Sequence, residues 1–237
     1  MEIHLNFIIE NIMKKILNRL VKFETQDYSY SDITYDRAKR CWDLMKREWE
    51  SGRYNVPHLH RGSVRLFYHA VTEDGLVKSG LSTIPLKYGI GKTEWRKIND
   101  IEDDHFTAPE GTARYMYAVG ESFFLDKEQF ENKFLGWFLW SKQTHYVSGE
   151  FNQELKSTSG KMKDNSNIFQ KLPDCTTEDK YPNCGIIKMY NINNNNEEIP
   201  VSDACPAPQE LTKYESRIIE EKIYDPNQTN DIFQRAA

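Results

Sequence analysis

VPHLHRGSVRLFYHAVTEDGLVKSGLSTI, from Val56 to Ile84, is the stretch whose reading decides the rest of the chain. His58, His60 and His69 lie in it, half of the six histidines present. From Val64 to Val71 the residues alternate. Val64, Leu66, Tyr68 and Ala70 fall on one side of a pleat and Arg65, Phe67, His69 and Val71 on the other, which predicts a strand. Both sides are largely apolar, so the strand is expected to be covered on both faces.

Working outward, the flanks supply helices. Ile3 to Phe23 carries Leu5, Ile8, Ile9, Ile12, Met13, Ile16, Leu20 and Val21 at helical spacing, with Lys14, Lys15, Arg19 and Lys22 in its second half. Such a helix can pack on its own core, dock on a partner or membrane surface through Ile12 and Ile16, or act as a targeting segment. Glu2 and Glu10 argue against the last. A second helix is predicted from about Thr34 to Glu50, capped at Ser31 or Asp32 and stopped by Ser51-Gly52. Cys41 lies on its apolar stripe with Ala38, Trp42, Met45 and Trp49, and reads as a small buried residue.

Beyond Ile84, the Gly-Lys-Thr at 91–93 lacks the spacing of a phosphate loop, and residues 99–104 read as an acidic loop. Ala113 to Phe124 is predicted as a second strand. A third helix follows Asp126 and carries Phe130, Phe134, Leu135, Trp137, Phe138 and Trp140. Being apolar nearly all round, it is either central to the core or presses on another molecule; Phe134, Trp137, Phe138 and Trp140 are the predicted partner-binding anchors.

Composition shifts after that. Residues 157–196 hold few large apolar side chains and a run of asparagines. The reading is α+β: a small mixed body with a few strands and three to four helices, plus a long irregular C-terminal arm. Its parts are an amphipathic helix at 1–24, the body at 25–151 and an arm at 152–237 with a late helix over about 208–224. So poor a segment cannot offset a backbone ordering cost of roughly 1–2 kcal/mol per residue, so neighbours are expected to hold it.

Charge narrows the partners. Up to Phe67 there are twelve Lys and Arg against nine Asp and Glu; after it, nineteen against twenty-seven. This is not the basic face that nucleic acid requires. No apolar run reaches the roughly 18–20 residues of a membrane span. Cys175, Cys184 and Cys205 lack the close pairs of zinc sites, though Cys175 and Cys184 could form one disulfide in an oxidising compartment. His58, His60 and His69 form the weak metal candidate.

Leu66-Phe67-Tyr68-His69-Ala70, followed by a turn-rich segment and Gly80-Leu81, resembles the first motif of ADP-ribosyltransferases of the His-Tyr-Glu kind. That resemblance implies NAD as cofactor, a strand-borne His69 at the nicotinamide ribose, Tyr115 or Tyr117 stacking the nicotinamide, and Glu121 on the ribose hydroxyl. Against this alternative stands the preferred expectation: a non-catalytic accessory subunit without a cofactor, bound to other protein subunits. It is placed inside the cell, in a mitochondrial membrane complex of the respiratory type, with peripheral membrane contact through its N-terminal helix.

Overall fold

The computed structural model describes residues 19–73, 75–86, 100–153, 181–182 and 185–211, with the main chain alone at 57, 58 and 60. It begins with a hairpin. Strands β1 (Arg19–Phe23) and β2 (Gln26–Tyr30) pair antiparallel about a two-residue loop in which Glu24 takes φ 53°. Helix α1 (Asp32–Glu50) follows, and the Ser31 hydroxyl accepts from Thr34 N–H at 3.2 Å. Its buried residues Ala38, Cys41, Trp42 and Met45 recur at helical spacing, as the sequence predicts.

After a 3-10 turn come α2 (Pro57–Thr72), β3 (Val77–Ser82) and β4 (Ile101–His105). Helices α3 (Pro109–Ala118) and α4 (Glu121–Phe124) lead to a π-helical turn, Phe130–Phe134, that runs into α5 (Leu135–Ser141). Strand β5 (Gln143–Ser148) then enters the sheet. Strands β6 (Lys188–Asn191) and β7 (Glu197–Pro200) and the short α6 (Val201–Ala204) follow. The larger sheet has the order β4-β5-β3-β6-β7, with β3 parallel to β5 and every other pair antiparallel.

One face of this sheet, with Leu81, Val147 and Met189, packs against the helices in the main core. The other face carries a smaller cluster of Leu86, Ile101 and Tyr146. The main core is aromatic: the Phe67 ring meets Phe134 and Phe138 edge-on at 5.9 Å each, and Tyr115 stacks on Trp137 at 5.0 Å. The hairpin docks where Gly136 leaves room. A Cβ there would lie 2.6 Å from the Phe23 ring, and Phe23 meets Trp137 edge-on at 5.6 Å.

The fold is α+β, and four of the sequence assignments within it change. Val64–Val71 is helix, not strand: Val64, Phe67 and Val71 are all at 0% exposure, spaced by three and four residues, and Pro57 occupies the first turn. Ala113–Phe124 is likewise helical, in α3 and α4, where Pro109 opens the first helix. The acidic stretch predicted as a loop is strand β4, held by the antiparallel ladder to β5. Arg19–Phe23 is strand, so no helix reaches Phe23; residues 1–18, with Ile12 and Ile16, lie outside the described residues.

The C-terminal stretch contributes to the body. Strand β6 pairs with β3, and Tyr181, Met189, Val201, Cys205 and Leu211 are buried in the main core. Residues 154–180 and 212–237, which hold Cys175 and most of the late helix, lie outside the described residues, as does Cys184.

Candidate functional site

Where β3 begins, its pairing among the described residues is one-sided. Val77 N–H donates to the carbonyl of Lys142, the residue before β5, and polar groups alternate in direction along a strand, so the N–H and C=O of Lys78 point to the opposite edge. Among the described residues β6 pairs there only with Leu81 and Ser82, and Ile192 N–H donates to Gly80 O at 2.9 Å as the chain turns away at 192–196. Gly80 makes that exit possible. It takes φ +78°, and a Cβ on it would fall 2.1 Å from the Asn193 side-chain nitrogen.

Facing this edge is a second one. The loop of the first hairpin is closed by the pair Phe23 and Gln26, and alternation from that pair turns the main-chain groups of Asp27 and Ser29 away from β1. No strand pairs with β2 on that side among the described residues. Between the two edges lies an open cleft of about 390 Å³, within the range of ligand-binding clefts. Four successive residues of β2 (26–29) and three of β3 (77–79) line it, which is how strand edges line a groove. Leu81, Phe106 and Tyr28 contribute apolar surface from the core side, and Ile199, Asp203 and Ala204 close the far wall.

The charges around the cleft are unequal. Lys78 is drawn to the opposite face of the sheet, where its ammonium pairs with Asp103 and donates to Thr144 Oγ1 at 3.2 Å. Asp27 and Asp203 are exposed and make no ion pair among the described residues. The cleft is therefore net acidic. Tyr28 in its wall donates to Gln26 Oε1 at 2.8 Å, and burial raises its pKa, so it stays a neutral phenol.

A second polar constellation sits on β4 and β5. Tyr181 donates its hydroxyl proton to Asp104 Oδ2 at 2.7 Å, and His145 Nε2 bonds the same phenol oxygen. With the phenol proton committed to Asp104, Nε2 is the donor in that second bond. His145 and Tyr181 are both at 0% exposure, between the rings of Phe106 and Phe151. Histidine, phenol and carboxylate in a line can pass a proton. Buried this deeply they act as a clamp that fixes Tyr181 on the sheet.

The residues singled out in the sequence are placed as follows. His69 is on α2 with its side chain exposed, so the strand that the ADP-ribosyltransferase resemblance requires is a helix. Tyr115 is buried against Trp137 and donates to Glu210 at 3.3 Å; Tyr117 is buried and donates to the Ser63 carbonyl at 3.3 Å. Glu121 is exposed at the start of α4. The side chains of His58 and His60 lie outside the described residues, and among those described no group of three His, Cys, Asp or Glu could hold a metal ion. Phe134, Trp137, Phe138 and Trp140 are 0–3% exposed, engaged with this chain's own core and not presented to a neighbour. Cys41 is buried, and burial raises its thiol pKa, as befits an inert core residue.

Sequence reading missed the cleft. Its walls are main-chain edges, and what frees them is where β6 turns away, a feature set by tertiary pairing; Gly80 and the asparagines after 190 were the local signal. No described helix is long and apolar enough to cross a membrane. No family model, curated protein or solved structure matches this chain.

Proposed function

We propose that this chain is a non-catalytic subunit of a multiprotein assembly and that it holds a segment of a neighbouring protein in the cleft between β2 and β3. The observation that carries the reading is a groove walled by the outer edge of β2 and the first half of β3, neither paired on that side among the described residues, with core aromatic and aliphatic side chains behind them. Unpaired main-chain donors and acceptors beside apolar surface suit a polypeptide, which brings both kinds of group at regular intervals. Val77, 43% exposed at the cleft, adds apolar surface within reach of a bound segment.

The test is a selection of displayed peptides on the full chain, repeated with Ser79→Trp. Ser79 lines the cleft half-buried, so the indole fills the groove at the loss of one local hydrogen bond, from Leu81 N–H to the Ser79 hydroxyl. Peptides that bind the native chain and lose the Ser79→Trp variant are the expected result. Selected peptides indifferent to that substitution would overturn the reading. So would a rise in thermal midpoint on adding NAD that disappears in His69→Ala, since it would favour the enzyme.

A further inference from the structure

Resting on the protein-binding reading, we infer that the segment taken up is an added β-strand in which apolar and basic residues alternate. The main-chain groups of Lys78 point into the cleft from one side and those of Asp27 and Ser29 from the other. A strand laid between them pairs with both edges and joins the hairpin to the larger sheet, the mode known as strand addition. Exposed edges are ordinarily blocked by charge, and a lysine is a common block. Here the block is withdrawn: the Lys78 ammonium is held by Asp103 and Thr144 on the far face, leaving the edge open.

Side chains of a strand alternate between its two faces. One set in the added strand meets Leu81, Phe106 and Tyr28 and is therefore apolar. The other set faces outward, near the exposed carboxylates of Asp27 and Asp203, and is therefore basic. Because Lys78 is already paired, nothing else lining the cleft neutralises those two carboxylates among the described residues. An acidic segment meets like charge there, so charge selects the partner and the edges select its conformation.

The test uses the full chain and synthetic peptides: one alternating Val and Lys, one alternating Val and Glu, and the Val/Lys peptide N-methylated at every second amide in each of the two phases. Saturable binding of the Val/Lys peptide is expected by fluorescence anisotropy. Both methylated phases should lose affinity, because each phase faces one of the two edges, and the phase facing Asp27 and Ser29 should lose about tenfold or more, as removal of two or so main-chain hydrogen bonds requires. The double variant Asp27→Asn, Asp203→Asn should weaken the Val/Lys peptide several-fold and leave a Val/Thr peptide unchanged; both side chains are exposed, so folding is spared. Equal binding of the Val/Glu peptide, or indifference to methylation in either phase, would overturn the inference. If peptide selection yields cleft-dependent binders that are helical or acidic, this inference falls while the protein-binding reading stands. If it yields none that depend on the cleft, both fall.

Discussion

Gly136, Trp42 and Tyr35 show how single residues hold this molecule together, each by a different force. At Gly136 the β1–β2 hairpin touches α5 so closely that a methyl would sit 2.6 Å from the Phe23 ring. Gly136→Ala should cost about 1–3 kcal/mol through overpacking, despite the better helix propensity of alanine. Urea unfolding reads it directly, and a stabilised variant would mean that the hairpin yields freely. Trp42 is 1% exposed and donates its indole N–H to Phe123 O at 2.8 Å. Tyr35 bonds the Glu131 carboxylate, and that bond first, then burial, push its pKa up to about 12. Below pH 10 the phenol is protonated in folded and unfolded chains alike. Between about pH 10 and about 12 the unfolded chain loses the proton first, so stability falls as pH rises. Tyr35→Phe should flatten that alkaline decline, measured as urea midpoints at about pH 9 and about pH 11. An unchanged decline would remove Tyr35 from the account. Burial raises Tyr28, Tyr54 and Tyr117 in the same direction, so the decline is shared.

Elements were legible where one signal stood alone. Helix α1 could be read from Ser31 at its cap and from Ala38, Cys41, Trp42 and Met45 along its stripe, and α5 from its dense apolar run. Val64–Val71 was misread because apolar residues occupy six of its eight places, all but Arg65 and His69, so a period of two and a period of 3.6 both fit. Pro57 and Pro109, each in the first turn of its helix, were the signals that separate the two periods. Strand β4 was hidden by its charges, which are absorbed pairwise: Asp103 by Lys78, Asp104 by Tyr181, Glu102 by Asn152. Two measurements follow at this scale. Trp137→Ala should cost about 3–5 kcal/mol because the indole is 1% exposed and touches Phe23, Tyr115, Phe123 and Trp140. An unchanged unfolding midpoint would return Trp137 to the surface. Tyr181→Phe deletes the oxygen that His145 and Asp104 share and should cost about 1–3 kcal/mol while leaving the aromatic contacts in place. If Tyr181→Phe matched the native chain in urea, the clamp would contribute shape alone.

At the scale of the whole molecule the question is whether the chain after residue 185 is an attachment or a structural part. Composition argues for an attachment, because residues 157–196 are poor in large apolar side chains. From Tyr181 onward, however, several large apolar side chains are buried: Tyr181 and Met189 are at 0% exposure, Val201 at 2% and Leu211 at 0%. Strand β6 also satisfies one edge of β3 at Leu81 and Ser82 and places the turn that opens the cleft. A chain ending at Asn152 would leave that edge and the core positions of these side chains bare, and should lose its cooperative unfolding transition. Truncation alone does not separate packing from chain loss, so the intact chain supplies the comparison. Met189→Ala should cost about 2–5 kcal/mol, whereas Ile187→Ala, two residues away and 71% exposed, should stay within about 0.5 kcal/mol. If the two variants unfold at the same urea concentration and the truncated chain keeps a sharp transition, the returning segment is an ornament on a body complete without it. A large gap between them makes the C-terminal strands a condition of the fold, and with it of the cleft that they border.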